Sequence, residues 1–309
     1  TGSSWTSTNN LSVGSGGAGT LTVSDSGTVS SLYTRIAVDA GSTGTATVTG
    51  TGSSWTTNGN NIHVGYGGTG TLSILDGATL SNDNAYIGFS AGAVGTATVS
   101  GSGSTWTNAS TFRVGDSGGG TLTISNGGTV TNTAGHIGNL AGSTGTATVT
   151  GAGSIWTNSG NLNVGNAGAG TLTISDSASV STTGVTIANA ASSTGTLNIG
   201  AATGQSAVAA GTLSTPTVTF GSGTGTLIFN HTGTDYDFDA DISGAGTIRA
   251  EAGTTNLTGD NSGVTGDIYI GGTAGATVNV AGGADTGNAI TYIGRNSGET
   301  GALVVSGAG

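Results

Sequence analysis

The sequence predicts an all-β chain wound into a parallel β-solenoid, and three observations predict it. Trp recurs at positions 5, 55, 106 and 156, in the settings GSSWT, GSSWT, GSTWT and GSIWT. A Gly-Thr followed by alternating apolar residues recurs twice as often, with its Thr at Thr20, Thr45, Thr71, Thr96, Thr121, Thr146, Thr171 and Thr196. No stretch carries the 3.6-residue apolar period of a helix. Self-similarity at a fixed step of about 25 residues, doubled to about 50 by the Trp, marks a stacked repeat array.

Each coil reads in the same order. A first strand, Gly19-Thr20-Leu21-Thr22-Val23-Ser24, is apolar at every second position. A turn follows at Asp25-Ser26-Gly27, and a short second strand centres on Val29. A third strand ends at Ile36, or in sister coils at Val13-Gly14, Val64-Gly65, Ile87-Gly88 and Ile137-Gly138. Val, Ile and Thr in period-2 alternation, bounded by Gly, Asn, Asp and Ser, read as strands. One such coil cannot bury its apolar face alone, whereas a stack of them forms a continuous core.

This register divides the chain into three parts. Residues 1–200 form eight regular coils. Residues 201–290 hold the single proline, Pro216, and a different strand set, including Thr226-Leu227-Ile228-Phe229 and Asp267-Ile268-Tyr269-Ile270, expected to form an irregular solenoid segment. Residues 291–309 are expected to start a further regular repeat. Tyr292-Ile293-Gly294-Arg295 returns to the third-strand motif, and Gly301 to Gly309 matches Gly44 to Gly52 position for position. Residue 1 aligns with Thr51, so the chain is expected to be a segment of a longer repetitive protein.

Composition excludes several functions. The 309 residues include 63 Gly and no Cys, which removes disulfides, thiolate metal sites and a Cys nucleophile. The four basic residues are all Arg, so there is neither a P-loop Lys nor a Schiff-base Lys. A net charge of −11 argues against nucleic acid and against anionic membrane surfaces. No apolar run is long enough for a membrane-spanning helix. Charged residues make up only 6%, as coil stacking requires. Coils about 4.8 Å apart place side chains one repeat apart directly above each other, where like charges repel and Thr, Ser and Asn do not.

The elements GTLTIS, GGTVTNTAGHIGN, AGSTGTATVTGAGSIWTN and GNLNVGNAGAG resemble the repeat of bacterial type V secretion (autotransporter) passengers and of related PEP-CTERM-associated surface proteins. The stretch from Gly223 to Gly272 is similar to the middle of autotransporter passengers. The resemblance covers nearly the whole chain. It implies a right-handed β-helix displayed outside the cell, at the bacterial surface and associated with the outer membrane. Roles in adhesion, autoaggregation and biofilm matrix follow from it, with hydrolysis only by an added domain.

Four features are candidates for function. The first is an array of Thr-x-Thr pairs: Thr20/Thr22, Thr45/Thr47, Thr71/Ser73, Thr96/Thr98, Thr121/Thr123, Thr146/Thr148 and Thr171/Thr173. The intervening Leu or Ala faces the core, so both hydroxyls face out, at about 4.8 Å across coils and about 6.7 Å along the strand. The grid resembles the ice-binding face of β-solenoid antifreeze proteins. Thr is also the polar residue best suited to an exposed strand, and that plainer reading is favoured.

The second is the column one residue before the third strand's last core residue: Ser12, Arg35, His63, Tyr86, Arg113, His136, Asn163 and Thr186. Alternation places it on the outer face. As a ligand stripe, Arg35, His63, Arg113 and His136 would meet acidic glycans while Tyr86 stacks on a sugar. The plainer reading, and the favoured one, is a solubilising stripe that blocks lateral sheet association.

The third is the four Trp, which share a slot with Val29, Leu80, Val130 and Val180 and are expected in the core. The fourth is Asp235, Asp237, Asp239 and Asp241, read as four carboxylates along one strand face opposite Tyr236, Phe238, Ala240 and Ile242. They are a Ca²⁺ candidate by oxygen count, against the plainer reading of a solvated acidic strand. No catalytic residue, and no cofactor beyond that Ca²⁺ candidate, is predicted. The expected function is a non-enzymatic, secreted surface rod that is structural and adhesive. Its expected partners are cell-surface glycans or further copies of itself, end to end or side by side. Ice binding and acidic-glycan binding stand as alternatives.

Overall fold

A computed structural model of the chain describes residues 2–281 and 290–306. Residues 282–289 of the expected irregular segment, and Gly307-Ala308-Gly309 of the repeat match, lie outside the described residues. Every named strand pair is parallel, and the strands collect into three sheets that run along one stack of coils.

The Trp sheet has nine strands, from Ser4–Thr6 to Thr212–Ser214. A second sheet has eleven, from Leu11–Val13 to Gly263–Val264, and carries the Arg35 column. The Thr sheet has fifteen and begins at Ala18–Val23. The predicted columns are the observed ones. Trp5, Val29, Trp55, Leu80, Trp106, Val130, Trp156, Val180 and Leu213 pair in succession. Thr20 through Thr196 also pair coil by coil, and the column continues to Thr226 and Thr247.

The core is a set of apolar columns inside the coil. Leu72, Ala97, Leu122, Ala147 and Leu172 are fully buried beneath the Thr sheet, and Trp55, Trp106 and Trp156 face them at 0–1% exposure. Burying a Leu-sized side chain contributes roughly 1.5–3 kcal/mol, so the stack gains stability coil by coil. Trp5 differs, at 48% exposed, because its strand is the edge strand of the Trp sheet.

Large and small residues alternate up the second sheet's inner column: Ile62, Ala85, Phe112, Gly135 and Leu162. A Cβ on Gly135 would come within 2.6 Å of both Leu162 Cδ1 and Asn158 Oδ1. Glycine there leaves room for Phe112, which packs edge-to-face on Trp106 at 4.8 Å and reaches Trp156 at 6.1 Å. The Gly of the Gly-Thr motif has a different cause. At Gly120 a Cβ would lie 2.1 Å from the Gly115 backbone nitrogen, where the strand passes under the preceding corner.

A polar spine runs inside the coil beside the Trp. Ser31, Thr57, Asn82, Asn108, Asn132 and Asn158 each follow the Trp-slot residue by two positions and are buried. Trp106 Nε1 donates to Asn82 Oδ1 at 2.6 Å, and Trp156 Nε1 donates to Asn132 Oδ1 at 2.7 Å. Asn82 Nδ2 in turn donates to Asn108 Oδ1 at 2.7 Å. Each buried indole therefore finds its acceptor in the coil before its own.

The last third departs from the simple stack. After Gly200, residues 201–211 fold back over the outer face of the Thr sheet, with an antiparallel bridge from Ala210 to Ser175. The excursion buries Asn198 and Ile228, which occupy the outward column of the Thr-x-Thr pairs. Register then shifts at Phe229/Asn230. At the long strand Thr247–Leu257 the Thr sheet branches. The strand's first half pairs with Ile268–Ile270 and its second half with Ala276–Ala281. Tyr292 and Ile293, which read as a third-strand motif, accordingly lie on the Thr-sheet column above Tyr269 and Ile270. Gly301–Ser306 pairs with Ala276–Ala281.

Candidate functional faces

The Thr-x-Thr pairs form one outward surface. Thr20, Thr22, Thr45, Thr121 and Thr146 are exposed, and Thr47, Thr71, Ser73, Thr96, Thr98, Thr123, Thr148, Thr171 and Thr173 are half-exposed. Their register is unshifted through the strands that carry them. The surface ends at Asn198, whose Nδ2 donates to Thr173 Oγ1 at 3.0 Å beneath the 201–211 excursion.

The Arg35 column is also in register, from Ser12 to Thr186. Its chemistry differs from the expected basic stripe. Tyr86 is sandwiched: His63 stacks on it at 4.8 Å with an interplanar angle of 8°, and the Arg113 guanidinium lies 4.9 Å from the ring centroid. Coil spacing imposes this, because a planar side chain is covered above and below by its ladder neighbours. The ring faces of Tyr86 are occupied, so stacking on a sugar is closed to it.

Two residues that the sequence reading passed over complete the cluster. Tyr66 and Phe89 stand at the corner two positions beyond Val64 and Ile87, and stack on each other at 5.0 Å. His63 meets both edge-to-face, at 5.2 and 4.6 Å. Arg35 lies over Tyr66 at 4.7 Å. Four rings thus form a block with a guanidinium at each end. The signal was available as the third residue of each Val/Ile-Gly-x corner.

Burial changes the charge of this face. Desolvation pushes His63 down to about 4, with Arg35 adding to the effect. His136 is lowered by burial and by Arg113. Both imidazoles are therefore neutral near pH 7, and the guanidiniums of Arg35 and Arg113 carry the positive charge. Above the aromatic block the same corner column becomes a carboxylate and amide ladder. Asn139 donates to Asp116 at 2.8 Å, Asn166 to Asn139 at 3.0 Å, and Asn189 to Asn166 at 2.9 Å. Asp116 is raised by desolvation and sits 3.6 Å from Arg113 Nε.

The four aspartates do not share one strand. Asp237 lies in Tyr236–Phe238, and Asp241 opens Asp241–Gly244 in a different sheet, with a corner at Asp239-Ala240 between them. The inward residues Phe238, Ala240 and Ile242 are buried as alternation predicts. Asn256 Nδ2 donates to both Asp235 Oδ1 and Asp237 Oδ1 at 2.7 Å, while Asp241 Oδ1 accepts the Asp260 N–H at 2.8 Å. Among the described residues, no three His, Cys, Asp or Glu side chains gather as a ligand set. No helix among them is long and apolar enough to cross a membrane.

No known protein family matches the chain, and no curated protein matches it. Among solved structures it aligns with the crystal structure of a TibC-catalyzed hyper-glycosylated TibA55-350 fragment. The alignment covers 98% of this chain and 97% of that one, at 18% identity and a TM-score of 0.37. A likeness that distant carries no argument for function.

Proposed function

We propose that the chain is a non-enzymatic bacterial surface rod that acts through its outer faces in adhesion, aggregation or matrix formation. The observation that supports this reading best is the unbroken register of the Thr column from Thr20 to Thr247. Such a stack repeats the same outer chemistry over the seven coils from Thr20 to Thr171, a length of roughly 30 Å. Repetition suits extended, low-specificity contact with another repetitive surface. Within this reading, Arg35 and Arg113 stand three coils apart, about 14 Å, a spacing that suits a polyanionic glycan lying along the rod. Beads coated with the protein should clump or hold to glycan-bearing cells. Retention on an acidic polysaccharide should weaken with salt and with Arg113→Ala. Specific hydrolysis of a polysaccharide by this chain would sink the reading.

The outward Thr surface favours ice binding as a second reading, since its hydroxyl columns keep one register over successive coils. That reading expects thermal hysteresis that disappears in Thr121→Leu and Thr123→Leu. No hysteresis in the parent protein would remove it.

A further inference from the structure

A cleft of about 580 Å³ opens where the repeat breaks down. One wall is the 203–207 part of the folded-back excursion, and the other is the 271–274 turn. Asn230, Arg249, Glu251 and Glu299 lie between them.

Buried polar groups hold the first wall in place. Asn230, 3% exposed, donates through Nδ2 to Ala202 O at 3.0 Å and to Gln205 O at 2.9 Å. The Glu251 carboxylate accepts from Thr203 Oγ1 at 3.0 Å, from the Gly204 N–H at 3.3 Å and from Arg249 Nε at 2.9 Å. Gly253 lets the long strand turn beside the cleft at a φ of +79°, where a Cβ would meet His231 O at 2.4 Å. On the flank, Tyr269 and Tyr292 stack at 4.8 Å, and Arg295 covers Tyr292 at 4.6 Å.

We propose that this cleft binds a short neutral oligosaccharide. Its volume falls within the roughly 300–1,000 Å³ of small-molecule sites. Its charged groups already have partners: Arg249 pairs with Glu251, and Glu299 accepts from the Asn296 N–H and Nδ2 at 3.0 and 2.7 Å, which leaves one net negative charge in the cleft. An anionic ligand would meet two carboxylates. A metal ion would have to displace three donors from Glu251. A hydroxyl-rich, uncharged ligand meets hydroxyl, amide and carboxylate partners together, with Ala207, Ala274 and Gly271 for its apolar faces. The excursion and the branching of the Thr sheet occur together here, so the cleft is a single position rather than one rung of a ladder. This inference goes beyond the rod reading and does not depend on it.

The test is an array of immobilised neutral cello-, malto-, manno- and N-acetylchito-oligosaccharides, with sialylated and uronate-containing glycans beside them. Calorimetric titration of the retained sugar into the whole chain follows. Ser206→Trp and Ala274→Trp fill the cleft from opposite walls at exposed positions that the fold does not need. At least one neutral oligosaccharide should bind, with affinity unchanged up to about 0.5 M NaCl. Both fills should weaken it by about tenfold or more, and Arg113→Ala should leave it unchanged. Absence of any neutral binding at millimolar sugar, preference for the acidic glycans, or binding that survives both fills would overturn the proposal.

Discussion

His63 shows how stacking turns an outward position into a buried one. Its side chain leaves the sheet on the outer face, yet Tyr66, Tyr86 and Phe89 enclose it to 6% exposure. Burial holds its folded-state pKa at about 4, below the ordinary imidazole value of 6.5. Between those values the unfolded chain binds a proton that the native chain refuses, so stability falls as pH drops from about 6.5 to about 4. His136 and His231 are lowered too and add to the loss, whereas the raised Asp116 opposes it in part. Chemical denaturation across that range should show stability declining, and His63→Gln should flatten the slope. A slope unchanged in the variant would contradict this account. Asn132 is the second telling residue. Asn132→Leu would leave Trp156 Nε1 without its acceptor and Asn158 Oδ1 without its donor. At about 1–3 kcal/mol for each buried group left unpaired, the loss from the two should be about 2–6 kcal/mol. A denaturation midpoint within error of the parent would show that the spine is dispensable.

At the scale of strands and columns, packing alternation makes a sharp prediction. Gly135→Ala adds a single methyl group, yet places it 2.6 Å from Leu162 Cδ1. Overpacking of this kind costs about 1–3 kcal/mol. Ala85→Gly, at the other small position of the same column, should also destabilise, here by leaving a void. Equal stability of Gly135→Ala and the parent would mean the column is loosely filled. These columns were legible in the sequence because parallel, in-register coils place equal repeat positions above each other. The Trp slot, the Thr face and the Arg35 column all follow from counting. What counting could not supply was the partner across the coil boundary. Trp106 is satisfied by Asn82 only because the acceptor sits in the coil below. Tyr86 loses both ring faces only because His63 and Arg113 happen to flank it. The fold-back at 201–211 and the cleft beside it left no periodic trace, since each occurs once. The Tyr292-Ile293 motif misled for a related reason. Its local pattern fits any inward-outward strand, and pairing with Tyr269 and Ile270 places it in the Thr sheet.

The whole molecule is a one-dimensional stack in which each coil is held by its neighbours. The inter-strand hydrogen bonds run along the rod, and the apolar contacts follow the same direction. Load on the two ends should therefore peel coils in turn. The most direct measurement is single-molecule pulling through Thr8→Cys and Ser297→Cys, handles that are unique because the chain has no Cys of its own. A series of ruptures is expected, each releasing about 25 residues, or roughly 85 Å of extended chain. A single rupture that frees the whole length at once would contradict a stack of separately yielding coils.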